Sequence, residues 1–164
     1  MPSSATPHAS DSPDAPGCPD APDSPDAFAV FDDLLREAMT GAERFGHRQH
    51  VRLTWLAVRR HGAATALGLI GDGIRRTATK AGAPQKFHVT MTRAWVELVA
   101  HHADGAPAFE ERENFEAFAA RHPELLDKEL LARHYRPGTL ASEQARTSWV
   151  EPDLTPFPWA DQPS

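Results

Sequence analysis

Cysteine is almost missing from this chain: 164 residues carry one, Cys18. A lone cysteine closes no disulfide within the chain, and so sparing a use of thiols fits a reducing compartment. Lysine is scarce as well, three against fourteen arginines. No apolar run approaches the roughly 20 residues of a membrane-spanning helix. The opening "MPSSATPHAS" has neither the basic stretch nor the apolar stretch of a secretory signal, so a cytoplasmic protein is expected. No segment alternates apolar and polar residues as an exposed strand does. Catalytic signatures are missing too. There is no H-E-x-x-H zinc helix and no nucleophile elbow around Ser142 or Ser148. "GLIGDG" (68–73) lacks the preceding strand and the Gly-Lys-Ser/Thr ending of a phosphate loop.

Positive charge is also short. The formal net charge is -6, and residues 1–26 supply five of those charges as aspartates, with no Lys or Arg. The remainder is close to neutral, which excludes the electrostatic footprint of a nucleic-acid or membrane-surface binder. The same 26 residues hold seven prolines and no aromatic. Such a segment buries too little apolar surface to offset its ordering entropy, so a disordered tail is expected over 1–26.

What the rest contains is helix after helix. Apolar residues recur at helical spacing over 27–40, 47–62, 63–82, 84–105, 109–123, 124–135 and 142–150. Gly41 and Gly62 are placed to end helices, and Ser142 to begin one. Gly68, Gly71 and Gly73 weaken the third helix unless they serve a close contact or a kink. The end, "EPDLTPFPWADQPS", carries four prolines and is expected to lie extended, anchored by Leu154, Phe157 and Trp159. The fold class is therefore all-α. We expect a compact bundle of six to seven helices over 27–151, with a Pro-rich extension over 152–164.

Histidines carry the functional signal. In "RFGHRQHVRLTWLAV" (44–58), His47, His50, Val51, Thr54, Trp55 and Val58 share one helix face. The two imidazoles thus point where core residues point. In "KFHVTMTRAW" (86–95), His88 again heads the apolar stripe that continues through Met91, Thr92 and Trp95. Two such helices could bring His47, His50 and His88 onto one divalent transition-metal ion, with Zn, Fe, Cu and Mn not distinguished. Thr90 and Thr92 would hydrogen-bond a bound ligand, and Trp55 and Trp95 would wall the pocket. His102 lies about 21 Å further along its helix and cannot join that site. His61, His122 and His134 read as loop, helix-end or surface residues. The competing reading is structural: buried neutral histidines donating to backbone carbonyls, in a protein that binds a partner without catalysis. Position in the first helical turn and burial favour neutral imidazole in both readings.

"FGHRQHVRLTWL", "KFHVTMTRAW" and "LLARHYRPGTLASEQARTSWVEPDLTPFP" resemble, in this order, a widespread uncharacterised family of small bacterial helical proteins. The resemblance spans residues 28–158 and implies a compact helical domain without implying an activity. The matching positions are His47 and His50; His88, Thr90 and Thr92; and Trp149, Glu151 and Asp153. Relatives often have Thr in place of Gly46 and Glu in place of Val89. Together the readings point to a small cytoplasmic protein with a three-histidine metal site, acting on a small molecule through hydrolytic or oxidative chemistry. The alternative is a binding protein whose histidines form a core network.

Overall fold

The computed structural model describes residues 25–104 and 114–160. Pro25 and Asp26, expected in the tail, instead open the first helix; the expectations for residues 1–24, 105–113 and 161–164 lie outside the described residues. Within them the chain is all-α, and no strand occurs. No described helix is long and apolar enough to cross a membrane.

Four long helices make the body. α1 runs Pro25–Ala38, with Asp26 in its first turn and Arg36 in its last, the arrangement the helix dipole favours. Its Phe31, Leu34 and Ala38 are buried. α2 is His47–His61 and begins at Gly46, whose N–H donates to Gln49 Oε1 at 3.1 Å. Gly62, at φ +82°, turns the chain directly into α3, Ala63–Lys80. α4 is Val89–Asp104. α2 packs against α1, α3 and α4 at once. From Leu53 to Val58 every side chain of α2 is buried, so α2 is the central helix and its histidine face is only one of several core faces.

The glycines of α3 divide. A Cβ on Gly73 would lie 2.2 Å from the Phe31 ring of α1, whereas one on Gly68 or Gly71 would meet nothing within 4 Å. Gly73 is thus the close-contact position, and the other two are spare.

Before α4 the expected helix start at Pro84 is wrong. Pro84–Lys86 is a single 3₁₀ turn, and α4 begins only at Val89. The break has a local cause: His88 Nδ1 accepts the Met91 N–H at 3.1 Å and so caps α4 from outside it.

The C-terminal half is built from shorter pieces. α5 is Phe115–Arg121, capped by Asn114 Oδ1 on the Ala117 N–H. The helix expected over 124–135 is instead two 3₁₀ turns, Pro123–Leu126 and Leu130–Arg133. Pro123 starts the first, and Asp127 turns its carboxylate onto the Glu129 N–H, which diverts the chain between them. A short α6, Pro137–Leu140, was not foreseen. Asp153 caps it by accepting from the Arg136 N–H and from Thr139 Oγ1. α7 is Glu143–Thr147, with Ser142 as its N-cap as expected. Residues 151–160 run across this half. Phe157 is their buried anchor, stacked on Trp159 at 4.7 Å and tilted against His134 at 4.5 Å. Leu154 is exposed instead of anchoring anything.

Candidate functional site

Helical phase places His47 and His50 on one side of the start of α2, and the start of α4 lies opposite. A cavity of about 380 Å³ opens between them, with His47, His50, His88, Thr92 and Trp95 in its wall. Phe45, Met91 and Ile74 supply apolar surface, and Lys86 supplies the cation nearby. A second cavity of about 450 Å³, almost wholly apolar, shares Phe45, Ile74 and Lys86 and reaches on to Phe31 and Leu53.

Two of the three histidines are held by backbone. The His47 Nε2–H donates to Leu125 O at 2.9 Å, across 78 residues of sequence, and the ring lies edge-on to Trp95 at 4.6 Å. His88 uses both nitrogens: Nε2–H donates to Leu140 O at 2.7 Å while Nδ1 accepts from Met91. That fixes His88 as a neutral ring with its proton on Nε2, because a carbonyl can only accept.

His50 differs. Its ring stands 6.3 Å from Phe45 and 6.5 Å from His47. Burial, with the His47 ring adding to it, pushes its pKa down from 6.5 to about 4. His50 is therefore neutral at pH 7, with a lone pair to offer in the cavity wall. Such a group accepts a hydrogen bond or a proton from a bound molecule.

The remaining expected site residues sit elsewhere. Thr90 is fully buried behind the cavity wall; its hydroxyl donates to Ser148 O at 2.7 Å and accepts from the Val150 N–H. It ties the C-terminal half to α4. Trp55 packs against Phe115 and Phe118, at 5.7 and 5.8 Å, and lines a different, arginine-flanked cavity. Val89, one position on from His88, does not line the histidine cavity. Trp149 and Glu151 bond each other at 2.8 Å, and Arg93 lies over the Trp149 ring.

Metal-ligand spacing occurs in one other place. Among the described residues, the one group of three His, Cys, Asp or Glu side chains with ligand atoms all within 4.8 Å of one another is His102, His122 and Glu124. This group could hold an ion. His47, His50 and His88 share a cavity but do not converge to that distance. Along α4 His102 lies far from His88, and His122 stands at the end of α5. Neither residue has local spacing that reveals the other, because the fold joins them. His134, expected at the surface, is buried and donates through Nδ1 to Thr155 O at 2.7 Å.

Compared with protein-family models, with curated proteins and with solved structures, the chain matches none.

Proposed function

We propose that this protein binds a small molecule in the cavity between α2, α3 and α4, with His50 as the group that recognises it. The observation that carries this reading is the neutral His50 imidazole in the wall of a cavity of about 380 Å³, within the size range of ligand sites. His47 and His88 serve as braces: their bonds to Leu125 O and Leu140 O hold the two helix starts against the C-terminal half. The occupant is an apolar or aromatic molecule carrying a hydroxyl or acidic group. The Phe45, Ile74 and Trp95 walls take its body, His50 takes its proton or hydrogen bond, and Lys86 favours negative charge at the rim. The adjoining apolar cavity leaves room for a hydrocarbon extension.

We further infer a bacterial, cytoplasmic setting and no part for nucleic acid, supported by the motif resemblance, the single cysteine and the near-neutral charge outside the tail. A second reading places one Zn, Fe, Cu or Mn ion on His47, His50 and His88, acting as a metal-dependent enzyme on the same molecule. Their common cavity supports it, and it requires His88 to release one of its two hydrogen bonds.

The test is a fragment screen by NMR on the full chain, following the His50 ring and the Trp95 indole. Aromatic acids and phenols are expected to shift both signals, and His50→Gln is expected to abolish the response while the fold persists. Hits that leave both signals in place, or that bind His50→Gln equally well, overturn the reading. Stoichiometric metal lost in both His47→Ala and His88→Ala would favour the second.

A further inference from the structure

At the C-terminal end of α4, His102 meets the turn that follows α5. Its Nδ1 lies 2.8 Å from Leu98 O. A carbonyl only accepts, so Nδ1 carries a ring proton. Nε2 faces Glu124 Oε1 at 3.2 Å. A cation joins such a pair, either a second proton on the ring or a metal ion. A second imidazole then bears on the choice. His122 Nδ1 stands 3.7 Å from the same carboxylate oxygen, and the two rings meet edge to face at 4.8 Å. A proton is satisfied by one pair of atoms. A third converging ligand is what a metal ion uses.

We propose that His102, His122 and Glu124 bind one divalent transition-metal ion of the zinc class, at a site separate from the histidine cavity. Ligand atoms about 2.0–2.2 Å from a tetrahedral ion lie about 3.3–3.6 Å from one another; the 3.2 and 3.7 Å spacings to Glu124 Oε1 are close to that, and the two imidazole nitrogens lie within 4.8 Å of each other. Two imidazoles and one carboxylate select zinc, iron, cobalt or nickel over calcium and magnesium, which take oxygen ligands. The Leu98 carbonyl does for His102 what a supporting acceptor does in metal sites generally: it fixes the tautomer and aims Nε2. Pro123 stiffens the chain between the other two ligands. The imidazoles are about one-fifth exposed and Glu124 is 37 % exposed, so the ion has a path in and an open side for water. Binding crosslinks α4 to the turn 123–126. The carbonyl of Leu125 in that turn is the one that holds His47.

The experiment is a calorimetric titration of zinc chloride into the full, tag-free chain after chelation, with cobalt(II) absorption as a second readout. One equivalent is expected to bind with micromolar affinity or better. His102→Ala, His122→Ala and Glu124→Gln are each expected to weaken it about tenfold or more. His61→Ala, at the exposed end of α2, is expected to bind as the parent does. Circular dichroism checks the fold of each variant. If an alanine variant fails to fold, Glu124→Gln, at a partly exposed position, decides. No binding by the parent overturns the proposal. So does unchanged affinity in the folded variants, which would place the ion elsewhere on the chain.

Discussion

A buried neutral imidazole makes stability depend on pH in a fixed direction, and His50 supplies the case. Its pKa is about 4 in the folded protein, against 6.5 for a free ring. Above pH 6.5 the ring is neutral in both states and contributes nothing to the dependence. Between 6.5 and 4 the unfolded chain takes up a proton that the folded one refuses, so stability falls as the pH falls. Below about 4 both states are protonated and the loss levels off, having reached on the order of 3 kcal/mol. His50→Gln removes this component. In urea unfolding at pH 7, 6, 5 and 4, the variant is expected to lose less stability on acidification than the parent, by about 2 kcal/mol or more. A constant difference across that range would show that His50 is solvated and charged like any surface histidine. The position of this residue was legible in the sequence, because helical phase alone puts His47 and His50 on one side of α2. What each ring touches was not legible. A carbonyl acceptor 78 residues away leaves no trace in local spacing.

The elements divide in the same manner. Long amphipathic helices announce themselves, and α1, α2 and α3 fall within two residues of their expected bounds. The pieces between residues 123 and 140 did not, because their apolar residues recur at helical spacing while Pro123, Asp127 and Pro137 break the backbone into turns; the short α7 after Ser142 did. Periodicity reports which side chains go inward and says little of how the chain between them is wound. The glycines of α3 give this a measurable form. Gly73→Ala drives a methyl into the Phe31 ring, where the nearest atom would stand at 2.2 Å, and is expected to destabilise the protein by about 1–3 kcal/mol. Gly68→Ala and Gly71→Ala add a methyl to open space in a helix interior. Each is expected to stabilise by about 0.5–1 kcal/mol. Thermal unfolding of the three variants checks both signs at once. A neutral Gly73→Ala would mean that α1 does not sit against α3 at that point.

Across the whole molecule, two halves of different character are joined by side chains that seek carbonyl groups. The first half is four long helices whose backbones satisfy themselves. The second is short helices, turns and extended chain, whose carbonyls need partners from outside. His47 donates to Leu125, His88 to Leu140 and Thr90 to Ser148, all reaching from α2 and the start of α4 into the second half. Within the second half, Tyr135 donates to Val150 O at 2.7 Å and His134 to Thr155 O. Burial, with Glu151 and Glu97 nearby, raises the Tyr135 pKa far above its ordinary value, so the phenol keeps the proton it donates. This arrangement predicts an uneven loss of protection when one tie is cut. Tyr135→Phe and His88→Ala each leave a part-buried carbonyl without its donor, at about 1–3 kcal/mol. In native-state hydrogen exchange, amides of residues 137–157 are expected to lose protection in both variants, while Val51–Val58 in the central α2 exchange as slowly as before at low denaturant. An equal loss in α2 would mean that the second half does not open by itself, and that the long helices depend on its ties for their own stability.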